Sequence, residues 1–215
     1  GYGVLGGNSD SVRNRTVGTN AGDDFSGTDA TDNTLIGYDA GTAITSGDKN
    51  VALGSYALDA NTTASQNTAV GYGALTANTT GAYNTGLGAY TLTANTTANH
   101  NTAVGYDCLQ ANTTGLYNTA LGSVALTANT DGNNNVSIGY QALDSNVSGS
   151  DSLAVGKGAL QAFTGSGSVG GSVGVGRDAL YSLTTGESHI AIGENAGYSV
   201  TTGNNTVAIL SLIHI

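Results

Sequence analysis

The side chains able to do acid-base, nucleophilic or metal chemistry are few in this chain. There are three histidines, one cysteine and fifteen carboxylates among 215 residues. His100 stands in a column that a repeat, set out below, also fills with Gln66, Tyr83, Tyr117 and Asn134. A general base has to hold its imidazole at one place, and a column this permissive reads as surface. His189 follows Glu187 and Ser188 at a predicted corner, and His214 lies in an aberrant C-terminal hexapeptide. Nucleophilic catalysis needs a base, an orienting acid and an oxyanion hole, and no pattern supplies them. Cys108 takes a place held elsewhere by Ala57, Ala74, Ala125 and Ala142. A lone Cys forms no internal disulfide, so it reads as a small buried residue, with a bond between subunits as the minor alternative.

Asp23, Asp24, Asp29 and Asp32 form the one acidic cluster. Their spacing matches neither an EF-hand nor the Gly-rich calcium repeat, and a solvated loop is expected. Elsewhere the acids are scattered singly, unlike the grouped carboxylates of a glycan-cleaving solenoid. The Gly-rich run 170–176 lacks the lysine of a phosphate loop. The expectation is a non-enzyme with no cofactor and no metal.

What the chain does carry is a repeat. The glycine that closes each N-T-x-[VIL]-G phrase recurs at Gly37, Gly54, Gly71, Gly88, Gly105, Gly122 and Gly139, spaced by 17. The series extends back to Gly1 and Gly18 and on to Gly156, Gly176 and Gly193, with two extra residues before Gly37 and three before Gly176. The next glycine is due at position 210, where Leu210 stands at the start of LSLIHI. That string looks like a translated sequencing adapter, so the expected domain is 1–209, a single repeat domain cut from a longer chain, with 210–215 an artefact.

Each 17-residue unit holds two candidate strands. One is an alternating triplet such as Val51-Ala52-Leu53 or Ile190-Ala191-Ile192, and the other is built on Leu58, Leu75, Leu92, Leu109, Leu126, Leu143, Leu160 and Leu180. Turn residues such as Asn78-Thr79-Thr80-Gly81 fill the rest. Two short strands and two turns per unit predict an all-β solenoid of about twelve coils, each rising by about 4.8 Å. The flanking aliphatic residues of each triplet, with the Leu, are expected to form the core. The small residues between them (Ala52, Ala69, Gly86, Ala103, Ala120) are expected to point away from it, where another subunit could approach. Asn50, Asn67, Asn84, Asn101 and Asn118 occupy one column and predict a hydrogen-bonded ladder at a left-handed corner. Tyr38, Tyr72, Tyr106 and Tyr140 recur every 34 residues and are the candidate surface contacts.

The composition follows from this plan. Gly, Thr and Asn make up 40% of the chain, and charged residues only 9%. These are poor helix formers, which excludes a helical bundle. A net charge of −10 argues against nucleic acid, and no apolar run is long enough to cross a membrane.

The phrases Asn67-Thr68-Ala69-Val70-Gly71, Asn101-Thr102-Ala103-Val104-Gly105 and Asn135-Val136-Ser137-Ile138-Gly139 resemble the head repeats of trimeric autotransporter adhesins. The longer form, N-T-A-V-G-Y-x-A-L-x-A-N-T-T-G, is also similar to repeat regions of phage and virus tail fibres. The resemblance covers essentially all of 1–209. It implies a left-handed parallel β-roll assembled as a homotrimer, extracellular on a bacterial surface or in a virion fibre. The implied partners are a host-surface receptor, glycan or matrix protein. The alternative reading is an ice-binding solenoid, from the columns Thr79, Thr96, Thr113 and Thr80, Thr97, Thr114. Asn61, Asn78, Asn95 and Asn112 head N-x-Ser/Thr sequons that follow from the repeat.

Overall fold

The computed structural model describes residues 13–25, 29–165 and 171–209. Gly1 at the head of the repeat, the acidic cluster's neighbours at 26–28, residues 166–170 ahead of Gly176 and the C-terminal hexapeptide 210–215 lie outside the described residues. Twelve three-residue strands, from β1 (Arg15–Val17) to β12 (Val207–Ile209), follow one another at the repeat spacing. They form one parallel sheet in sequential order, each strand beside the next in the chain. The chain is thus a β-solenoid of about eleven turns. Register is strict: Ala69 of β4 (Thr68–Val70) pairs with Gly86 of β5 (Thr85–Leu87), and Gly86 with Ala103 of β6 (Thr102–Val104).

The second strand of each coil does not form. Leu58, Leu75, Leu92, Leu109 and Leu126 all have φ between 50 and 54°. Two residues earlier the chain is already left-handed, as at Tyr56 (61°) and Tyr90 (57°). Two such residues two positions apart curl the chain, so the Leu-x-Ala alternation belongs to a turn. Hydrogen bonding between coils continues through it nonetheless, with Leu75 N–H donating to Thr91 O at 2.9 Å and Ala77 N–H to Thr93 O at 3.1 Å. A left-handed leucine costs roughly 1–3 kcal/mol. The recurrence of that conformation in coil after coil shows that burying the Leu side chain, which is completely enclosed, outweighs the cost.

The sheet also faces the other way round from the expectation. The middle residue of each triplet points inward: Ala52, Ala69, Ala103, Ala120, Ser137, Ala154 and Ala191 have no exposed surface. The flanking residues point out, and Leu53, Leu87 and Leu121 are 45–47% exposed. The reason is volume. The coil is so narrow that where the facing turn carries leucine only a small side chain fits opposite it, and in the coil where Gly41 takes the leucine's place the inward residue is Leu35 instead. At Gly86 a Cβ would sit 2.7 Å from Thr91 Oγ1. Thr91 replaces the usual Ala in that coil, and its larger side chain is matched by Gly86 on the facing wall. Cys108 lies in that same interior column, fully buried, and its burial pushes the thiol up to about 12. An inter-subunit bond is therefore excluded by its position. Cys108 is expected to resist alkylation by iodoacetamide in the native protein and to react once the chain is denatured, which mass spectrometry would read directly.

Two columns of buried asparagine complete the core. In the first, each backbone N–H donates to the side-chain oxygen of the preceding coil, as from Asn101 to Asn84 Oδ1 (3.0 Å) and from Asn118 to Asn101 Oδ1 (2.9 Å). Each side-chain amide also caps a carbonyl of the next coil, as from Asn101 Nδ2 to Gly115 O (2.8 Å). These asparagines are not themselves left-handed. That conformation falls on the residue before them: Gln66, Tyr83, His100 and Tyr117 have φ of 58–62°.

The second column was not expected as a ladder. Asn78 Nδ2 donates to Asn61 Oδ1 (3.0 Å), Asn95 Nδ2 to Asn78 Oδ1 (2.8 Å), and so on to Asn146. Of these, Asn61, Asn78, Asn95 and Asn112 are the sequon asparagines named above, and all four are wholly buried with their amides engaged. In the folded rod none can accept a glycan. Beyond this run the column turns apolar, with Phe163 and Leu183 buried on one side and Ile44 on the other.

Candidate binding surface

The outward face of the sheet runs through all twelve described strands. Its third-position column reads Val17, Ile36, Leu53, Val70, Leu87, Val104, Leu121, Ile138, Val155, Val175, Ile192 and Ile209, aliphatic in every coil. Beside it run Thr34, Thr68, Thr85, Thr102 and Thr119, with Val, Leu or Ile in most other coils. Solvent-facing strands ordinarily carry polar side chains, and an unbroken aliphatic ladder of this length is a candidate contact surface. The small-residue stripe, expected to be that surface, is instead sealed in the core.

The candidate tyrosines border this face across the anchor glycines. Tyr38, Tyr72, Tyr106 and Tyr140 are each about half exposed. The 34-residue period hides a continuous row, because the intervening coils place a tyrosine one residue later, at Tyr56 and Tyr90. The rings alternate edge to face: Tyr38–Tyr56 at 5.5 Å, Tyr56–Tyr72 at 5.6 Å, Tyr72–Tyr90 at 5.3 Å and Tyr90–Tyr106 at 6.1 Å between centroids. Val124 takes the next place and ends the row before Tyr140. Acids line it. A hydrogen bond with Asp107 and that residue's charge push the Tyr106 phenol up. Burial, then the charge of Asp39, pushes the Asp59 carboxyl up.

On the other side of the sheet His100 lies between Tyr83 and Tyr117, stacked on both at 4.8 and 5.0 Å with planes within 6°. This exposed His belongs to an aromatic stack. His189 is buried in the first asparagine column, with Nε2 2.9 Å from Gly203 O and Nδ1 without a partner. Asp32 is held by Arg13, and among the described residues no three His, Cys, Asp or Glu converge as metal ligands.

The repeat glycines explain themselves. Gly37 to Gly139 have φ of 132–145°, and each would aim a Cβ at the carbonyl of the next anchor glycine. Thr79, Thr96 and Thr113 each donate a hydroxyl to the carbonyl of the threonine one coil on, at 3.0–3.4 Å, so this column is spent on the rod itself.

A scan against protein-family models finds no match, and searches of the curated proteins and of the solved structures return no similar chain.

Proposed function

We propose that this chain is a rod segment of an extracellular oligomeric fibre, of the trimeric-adhesin head or tail-fibre type, that attaches a cell or virion to a host surface. The observation that carries the reading is the exposed aliphatic column. A single rod would leave it in water along the whole length, whereas a bundle of rods sharing an axis covers it. Each half-exposed Leu or Ile covered in this way contributes on the order of 1 kcal/mol, and the contributions repeat with every coil. The repeat phrases favour a homotrimer of left-handed rolls. Light scattering is expected to give three times the 21.2 kDa chain mass. The double variant Leu87→Glu, Leu121→Glu is expected to give the single-chain mass with its β-sheet circular dichroism intact. A single-chain mass for the unaltered protein, with the rod folded, refutes assembly through this face.

A second reading, an ice-binding solenoid, has one observation in its favour. Thr68, Thr85, Thr102 and Thr119 lie in register on the outward face beside Val70, Leu87, Val104 and Leu121. This is a different array from the Thr79 and Thr80 columns. Thermal hysteresis in the unaltered protein, abolished by Thr85→Lys, would favour it over the fibre.

A further inference from the structure

We infer that the row Tyr38, Tyr56, Tyr72, Tyr90 and Tyr106 is a binding strip for an extended, uncharged β-1,4-linked polysaccharide lying along the rod. The inference rests on the attachment reading above and names the chemistry that surface takes. Four observations carry it. First, the row is continuous over five coils, with no gap between centroids longer than 6.1 Å. Second, its members are not equivalent. Tyr38, Tyr72 and Tyr106 stand about half exposed, while Tyr56 and Tyr90 are more enclosed and brace them edge to face. The protruding rings thus recur every two coils, about 9.6 Å apart. An extended β-1,4-linked chain turns over at each sugar and offers the same face every second residue, so successive protruding rings meet equivalent sugar faces. Third, the polar groups beside the rings are acceptors. The charges of Asp39 and Asp59 act on Tyr56 and that of Asp107 acts on Tyr106, which places these carboxylates beside the row. Carboxylates accept hydrogen bonds from sugar hydroxyls. Fourth, these coils supply no cation beside the row, and the chain carries a net charge of −10, which repels an anionic glycan.

Each ring alone makes a weak contact, and affinity comes from several rings engaging one polymer. Hexasaccharides are therefore expected to bind at least ten-fold more tightly than disaccharides. Isothermal titration with cellohexaose and chitohexaose, against cellobiose and the polyanion alginate, tests this on the full chain, with light scattering run in parallel. The double variant Tyr72→Ala, Tyr106→Ala is expected to weaken hexasaccharide binding at least ten-fold with its oligomeric mass unchanged. Tyr72→Phe, Tyr106→Phe is expected to keep most of it. Tyr83→Ala, Tyr117→Ala, at the far corner, is expected to leave it unchanged. Absence of binding to both hexasaccharides by an intact oligomer overturns the strip while leaving the fibre standing. So does a preference for alginate, or equal binding by the Tyr72→Ala, Tyr106→Ala protein. Loss of oligomeric mass in that variant also overturns it, because the rings would then belong to the subunit contact.

Discussion

Gly122→Ala is expected to be the most damaging single-methyl change in the rod. The residue has φ of +142°, a conformation essentially reserved for glycine. A Cβ there would lie 2.5 Å from Gly139 O and 2.7 Å from Gly139 C, both backbone atoms of the next coil. Nothing flexible can yield. Strain alone costs roughly 1–3 kcal/mol, and separating two coils to relieve the overlap also breaks the ladder on both sides. Because each coil contacts only its neighbours, the damage is expected to uncouple the two halves of the solenoid. Urea unfolding followed by circular dichroism should show an early transition, or two transitions, in place of one. Gly171→Ala is the contrast, since Gly171 also has a positive φ but open space around its Cβ position. Its cost should stay near about 1–2 kcal/mol. Equal effects at the two sites would show that conformation, and not the approach of successive coils, makes the anchor glycine necessary.

Asn101→Ala is the second large effect. The side chain is wholly enclosed. Its Oδ1 accepts from Asn118 N–H at 2.9 Å and its Nδ2 donates to Gly115 O at 2.8 Å. Truncation leaves the buried Asn118 N–H without its acceptor and removes one of two donors to Gly115, the other being Asn112 Nδ2. A buried group stripped of its partner costs about 1–3 kcal/mol, and the cavity adds to it, so a loss of about 3 kcal/mol is expected. Asn101→Ser should be milder. Ser172 holds the same column in a later coil, where its Oγ faces His189 N at 3.5 Å. Asn134→Ala, one column away and exposed, should change stability by less than about 0.5 kcal/mol. Thermal unfolding of the three variants in parallel would check the order.

Much of the fold was legible because the chain states it twelve times. The spacing of the anchor glycines predicted the coil, and eleven of the twelve described strands end just before one of them, β12 alone being followed in sequence by Leu210. The direction of each face was not legible. A triplet such as Val51-Ala52-Leu53 alternates whichever side is inward, and hydrophobicity points to the wrong side. Only the bulk of Leu58 and Leu75 packed within the coil, enclosed opposite Ala52 and Ala69, decides that the small residue goes in. The second strand misled for a related reason. Alternation with a period of two fits a strand, but it equally fits a turn with two left-handed residues two apart. The tyrosine row was half visible, since Tyr56 and Tyr90 are shifted by one position from Tyr72 and Tyr106. Chain curvature after the glycine is what brings the two positions into one line.

The asparagines show the same division most clearly. Their type and spacing were enough to predict a ladder at Asn50, Asn67 and Asn84, because a polar column repeated in every coil has to satisfy itself along the axis. Sequence alone also marked Asn61, Asn78 and Asn95, but as sequons that follow from the repeat and not as a second ladder. The repeat in the sequence therefore determined the coil, its period and the absence of helix among the described residues, since the residues that stack on one another are those that recur every 17 positions. Inside and outside depend on how much volume is left when one wall of a coil meets the other. That quantity exists only once the chain has closed on itself, so the tertiary structure decided which asparagines are buried, which aliphatics face outward and which tyrosines form a row.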